Sequence, residues 1–144
     1  LFENSLINFL FILIICISTD VGGYIFGNLL KGPKLTKISP NKTYSGMLGS
    51  FLLSIISGYL FISNVDQGFI KNQNSDLYNL LLIIIILIIS TVSQIGDLII
   101  SFYKRKSKVK NTGNIFPGHG GLLDRIDGMI LVFPFVYILD LIIL

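Results

Sequence analysis

Residues 78–103 read YNLLLIIIILIISTVSQIGDLIISFY, and this stretch decides the fold. Its first half is almost unbroken leucine and isoleucine, and the apolar character returns after Gln94 and runs through Phe102. A helix needs roughly 20 largely apolar residues to cross about 30 Å of hydrocarbon, and this run supplies them with a single acid. The same measure marks 5–26, 44–63 and 127–144 as further spans. In a chain of 144 residues that is 52% hydrophobic and 13% charged, such runs are too long for a soluble core. The expected fold is all-α: one domain over 1–144, a polytopic integral membrane protein with about four transmembrane helices. Because the chain enters an apolar run almost at Leu1, the expectation is a C-terminal piece of a larger helical bundle with N-terminal spans ahead of it. A signal peptide is disfavoured, since no basic n-region or small-residue cleavage site frames the first run.

The polar residues inside the opening run are ordered. Ser90, Gln94, Asp97, Ser101 and Lys104 follow spacings of 4, 3, 4 and 3, which is one stripe of an α-helix. A stripe of this kind lines a cavity or forms an interhelical hydrogen-bond seam. Asp20 in the first span poses the same question, because a carboxylate at membrane depth is costly and faces a partner, an ion or water. Tyr24 lies on its face at i+4. Thr19, Gly23 and Gly27 form a small-residue face suited to close helix approach, and the second span, with Gly46, Gly49, Ser50, Ser54, Ser57 and Gly58, reads as a packing helix.

Charge is distributed unevenly. Lys31, Lys34, Lys37 and Lys42 lie between the first two spans, and Lys104, Arg105, Lys106, Lys108, Lys110 and Arg125 between the last two. The middle loop sets only Lys71 against Asp66 and Asp76. By the positive-inside rule both basic loops are cytoplasmic, and attraction to anionic lipid accounts for part of the excess. Lone Cys16, within a span, excludes a disulfide framework.

In the first basic loop, Ser39-Pro40 resembles a helix start and Lys42-Thr43 stand at the head of the second span. Free backbone N–H groups there suit either an anion or an ordinary cap. The second basic loop carries five bases in seven residues and then NTGNIFPGHGGLLDRID. No Gly-Lys-Ser/Thr follows its glycines, so it is not a Walker A loop. Gly118, Gly120 and Gly121 let backbone approach a ligand, and His119 among them serves either chemistry or loop shape. Asp124 and Asp127, at i and i+3, can share a cation, with Arg125 turned toward a phosphate or lipid headgroup. Oxygen ligands of this kind suit Mg²⁺, which binds through few carboxylates plus substrate phosphates. Asp20, Asp97, Asp124 and Asp127 all fall toward the cytoplasmic face, whereas Asp140 does not.

These blocks are similar to a known signature. Ser101-Phe-Tyr-Lys104-Arg105, Lys110, Gly113, Pro117-Gly-His119-Gly-Gly121 and Asp124-Arg125-Ile-Asp127 resemble the phosphatidate cytidylyltransferase (CDP-diacylglycerol synthase) family. So do Gln94-Ile-Gly96-Asp97-Leu98, Asp20 with Tyr24 and Gly27, and Ser39-Pro40-Asn41-Lys42-Thr43 with Gly46, in the family's order from about residue 18 to 128. Asn111, Ser45, Tyr44, Asn41 and Ile100 depart from the family's usual residues. Asn111 bears on turnover, since the family usually has an aspartate there.

The resemblance implies that CTP and phosphatidic acid give CDP-diacylglycerol and pyrophosphate at the cytoplasmic face of a bacterial inner membrane or its equivalent. It implies Mg²⁺, with room for a second cation, held by Asp97 and Asp124 with Asp127 in support. It places Lys42, Lys104, Arg105 and Lys110 on the triphosphate and Ser101 and His119 as positioning groups. Ser39, Thr43, Arg125, Gly118, Gly120, Gly121, Asp20 and Tyr24 complete the implied substrate contacts. The lipid bilayer is the implied setting; no nucleic-acid partner is expected, and a homodimer is left open. The rival readings are a cation-binding transporter, another lipid enzyme, and an inactive family member. The denser acidic motif of CDP-alcohol phosphotransferases is absent.

Overall fold

A computed structural model describes residues 5–36, 39, 42–65, 76–108 and 126–143. The described residues form four helices: α1 (Ser5–Leu30), α2 (Tyr44–Val65), α3 (Asp76–Lys106) and α4 (Met129–Ile143). Three of them, α1, α2 and α3, are long and apolar enough to cross a membrane. The fold is that of an all-α, polytopic integral membrane protein. The helices follow the expected order, with ends that differ by a few residues. At 1.5 Å per residue, the 31 residues of α3 reach about 46 Å, well beyond the hydrocarbon thickness. That excess carries Lys104, Arg105 and Lys106 out of the apolar zone in its last turn. The fourth helix, α4, begins at Met129, two residues past the expected start.

Helices α1 and α2 approach almost backbone to backbone. A Cβ built on Gly22 would stand 2.6 Å from the Gly49 carbonyl oxygen and 2.9 Å from Ser50 Cα. One on Gly46 would meet the Gly23 carbonyl oxygen at 2.8 Å. Close approach lets polar groups bond across the interface, and the Ser50 hydroxyl donates to the Thr19 carbonyl at 2.6 Å. The turn between these helices is tied as well. The Leu35 N–H donates to the Lys42 carbonyl at 2.7 Å, and the Tyr44 N–H to the Pro33 carbonyl at 3.1 Å. The second helix starts at Tyr44, past Ser39-Pro40, because Thr43 is its N-cap: the Thr43 hydroxyl accepts the Gly46 N–H at 3.1 Å.

The apolar core lies where α1, α3 and α4 meet: Ile12, Ile15 and Cys16 against Leu82, Ile86, Ile89 and Val132. Above it, toward the basic end, Gly96 of α3 lies close under the turn before α4. Its Cβ would stand 2.9 Å from the Gly128 carbonyl oxygen. This arrangement leaves the acids of three segments facing one space.

Candidate active site

Two ion pairs tie the α1–α2 turn and the turn before α4 to the basic end of α3. Lys42, from the α1–α2 turn, pairs with Asp97 on α3. Lys104, in the last turn of α3, donates to Asp127 Oδ2 at 3.0 Å. Asp97 lies nine residues before the end of α3 and Asp20 ten residues before the end of α1, so helical rise alone sets the two carboxylates at matching depth.

A cavity of about 810 Å³ lies between these elements. Asp20, Asp97 and Asp127 line it from α1, α3 and the turn before α4. Lys42 and Thr43 line it from the α1–α2 turn, and Tyr24, Ser50 and Gln94 from the helices. Apolar residues, among them Ile17, Val21, Met47, Leu98 and Met129, complete the wall. The space therefore has a charged part, with three acids to one lysine, beside an apolar one, suited to an amphiphile whose head arrives with a cation.

The electrostatics of the turn ahead of α4 are specific. Asp127 is 9% exposed, and its Oδ1 accepts the Gly128 N–H at 3.1 Å. Burial pushes its carboxyl above the ordinary range and the nearby Asp97 charge adds to this, whereas the Lys104 ammonium and the Gly128 amide pull it down. Lys104 is nearly as buried in its side chain, at 11% exposed. Each charge of this pair needs the other, since a buried charge left alone is costly.

A hydrogen-bonded seam underlies the acids. The Thr19 hydroxyl donates to the Ile15 carbonyl at 2.8 Å and lies 2.9 Å from Ser90 Oγ. Gln94 Nε2 stands 3.5 Å from the same Ser90 oxygen. With Ser50 bonded to the Thr19 carbonyl, the seam joins α1, α2 and α3 one residue from Asp20.

A family model described as "Cytidylyltransferase family" matches residues 2–143. The chain belongs to the cytidylyltransferase family. It is 39% identical over 143 residues to a protein of Rickettsia bellii named phosphatidate cytidylyltransferase, covering 96% of this chain and 60% of that protein. Relatives of the same name are 44% identical over 122 residues in Staphylococcus haemolyticus, covering 84% of this chain and 44% of that protein. In Bacillus subtilis the identity is 39% over 125 residues, covering 85% of this chain and 43% of the relative. The chain thus spans about two fifths to three fifths of the length of the curated relatives it matches.

Within this member of the family, the cavity gathers Asp20, Tyr24, Lys42, Thr43, Asp97 and Asp127 from the residues expected at a site. Lys104 joins them through Asp127. Thr43 is there with its hydroxyl engaged as a cap, at 3.1 Å from the Gly46 N–H. Ser39 is held in the turn, its N–H donating to Thr36 Oγ1 at 3.2 Å. It does not line the cavity, and neither do half-buried Ser101 and exposed Arg105. Lys110, Gly118, His119, Gly120, Gly121, Asp124 and Arg125 lie outside the described residues.

Sequence reasoning missed three polar cavity residues as site candidates, Thr19, Ser50 and Gln94; Thr19 was read as part of a small-residue packing face. Ser50 lies on a helix read only as packing, and nothing in its surroundings distinguished it. Gln94 was legible on the polar stripe, in phase with Asp97, but carried no assigned role.

For a divalent cation the fit rests on donor chemistry. No three acidic, histidine or cysteine side chains among the described residues come close enough together to hold an ion by themselves. Asp97 and Asp127 nevertheless present carboxylate oxygens to a shared cavity. One or two carboxylates are what Mg²⁺ takes when phosphates supply its other ligands.

Proposed function

We propose that this chain carries the catalytic region of a CTP:phosphatidate cytidylyltransferase. It would join the cytidylyl group of CTP to phosphatidic acid at the cytoplasmic face of the membrane. The observation that carries this reading is the convergence of Asp20, Asp97 and Asp127 beside Lys42 on one half-apolar cavity, at the basic end of membrane-crossing helices. Charge and grease on adjoining walls suit a lipid phosphate held next to a nucleotide. The excess of Lys and Arg at that end supports the cytoplasmic orientation.

In the proposed reaction a phosphate oxygen of the lipid bonds to the α-phosphorus of CTP. The bond from that phosphorus to the β-phosphate bridge breaks, and pyrophosphate departs with the electron pair. Phosphatidate is already ionised near neutral pH, so no strong general base is needed. The barrier comes from bringing two polyanions together and from charge growing on the leaving group.

Lys42 answers the first difficulty. With nucleotide present, its ammonium, buried beside Asp97, would pass from the carboxylate to a phosphate, so that one anionic partner replaces another. Asp97 and Asp127, with Asp124, are the proposed holders of Mg²⁺, which when bound supplies charge neutralisation to the phosphates. Lys104 keeps Asp127 in place through their 3.0 Å bond, and with Arg105 and Lys110 it brings positive charge to the triphosphate. His119 is a proposed positioning group, and Thr43, Arg125 and the glycines of the second loop are proposed substrate contacts, whereas Ser39 and Ser101 stand outside the cavity lining. Asp20 and Tyr24 would face the headgroup from α1.

The test is incorporation of radiolabelled CTP into chloroform-soluble lipid by the purified protein in liposomes. Label should enter lipid only when phosphatidate and Mg²⁺ are both present. Equal incorporation without phosphatidate, or none with every component supplied, would reject the reading. A cation-binding transporter would instead pass ions across the liposome membrane regardless of CTP.

A further inference from the structure

Gln94 is a cavity residue to which the proposed chemistry assigns nothing. It lies three residues before Asp97 on the same face of α3, about 4.5 Å farther from the basic end. It is half-buried and lines the cavity with Ile17, Val21 and Leu98. Its one side-chain hydrogen bond among the described residues is to Ser90 Oγ at 3.5 Å, at the long limit for such a bond. Ser90 already lies 2.9 Å from the Thr19 hydroxyl. Whichever way the amide is turned, at least one N–H of Gln94 keeps no partner among the described residues.

A donor in that position wants an uncharged acceptor. A triphosphate would have to leave water and descend past Lys42 and Asp97 into apolar surroundings to reach it, which desolvation opposes. A diacylglycerol backbone needs no such descent. Its ester carbonyls lie a few bonds beneath the lipid phosphate, at the border of the hydrocarbon. With the phosphate at the level of Asp97 and Lys42, a carbonyl falls about one helical turn lower, at the level of Gln94.

We infer that Gln94 reads the ester-linked backbone of the lipid substrate, donating its amide N–H to an acyl carbonyl and thereby selecting diacyl over ether-linked phosphatidate. The inference rests on the phosphatidate reading above. It assigns this chain a lipid-specificity residue one turn beneath the charged groups and separate from them.

The experiment compares kcat/KM of the purified protein in liposomes for diacyl phosphatidate and for its dialkyl ether analogue of equal chain length, which lacks the carbonyl acceptors. The unmodified protein should favour the diester about tenfold, the scale of one hydrogen bond. Gln94→Met, similar in shape and without donors, should lose about tenfold on the diester. It should leave the ether lipid and the KM for CTP unchanged. A ratio near one in the unmodified protein overturns the inference, even if the variant fails to fold. Equal losses on both lipids, or a change confined to CTP, overturn it too. An unmodified protein that cytidylylates neither lipid instead rejects the phosphatidate reading on which the inference stands.

Discussion

Asp97→Asn should lower cytidylyl transfer roughly a hundredfold or more while leaving the protein folded. Asp97 stands at the centre of the charged wall: it pairs with Lys42, its charge bears on Asp127, and it lines the cavity with Asp20. Replacing the carboxylate by an amide keeps the shape and removes the charge around which the cation and nucleotide are proposed to assemble. Loss of one group aimed at developing charge costs on the order of a hundredfold in rate. Stability should fall less than activity, because the asparagine oxygen can still accept from the buried Lys42 ammonium. The measurement is kcat for CTP incorporation alongside the thermal midpoint in detergent. Full activity in Asp97→Asn would remove this residue from the proposed chemistry. A fall in the midpoint that matches the fall in rate would make its role structural.

Gly22→Leu should abolish assembly of the bundle. A Cβ at Gly22 meets backbone at 2.6 Å and 2.9 Å, and backbone cannot rotate aside as a side chain can. Gly49 is constrained in the same way: its Cβ would overlap Phe26 Cβ, an atom fixed by the backbone of α1. The α1–α2 contact is also what carries Lys42 to Asp97 and brings Ser50 onto the Thr19 carbonyl. Forcing the helices apart should therefore cost at least about 3 kcal/mol, the upper range for overpacking, and dismantle the cavity as well. Gly27→Ala is the matched control, since its Cβ meets only the Thr43 hydroxyl at 3.3 Å and Gly46 Cα at 3.8 Å. Size-exclusion profiles in detergent should show monodisperse protein for Gly27→Ala and aggregated or absent protein for Gly22→Leu. Well-behaved Gly22→Leu protein with an unchanged midpoint would contradict the close approach.

Much of this architecture was legible because membrane crossing leaves a coarse mark. Runs of isoleucine and leucine announce α1, α2 and α3 whatever their packing, and the 3.6-residue period put Gln94 in phase with Asp97, and Tyr24 with Asp20. The start of α4 was less legible, since apolar composition shows where a helix is greasy but not where its first turn closes. The pairings were not legible. Lys42 finds Asp97 across 55 positions of sequence, and Lys104 finds Asp127 across 23. Both pairings depend on helix rotation and tilt, which the glycine contacts set and no local pattern encodes. Thr43 illustrates the same limit: a hydroxyl at a helix start can cap the helix or meet an anion, and only the 3.1 Å bond from Gly46 shows its engagement.

The account stands on the nucleotide entering the cavity between α1, α2 and α3, and that can be probed by chemical protection. The chain's single cysteine, Cys16, is buried, with 0% exposure, and silent toward a water-soluble maleimide. Met47→Cys places a thiol on the cavity wall, and Leu29→Cys places one on the exposed last turns of α1, outside the cavity lining; Asn28→Cys, one turn above Tyr24, is the intermediate position. CTP with Mg²⁺ should slow labelling of Met47→Cys severalfold and leave Leu29→Cys unchanged. Identical labelling of Met47→Cys with and without nucleotide, or equal protection of Met47→Cys and Leu29→Cys, would contradict the account.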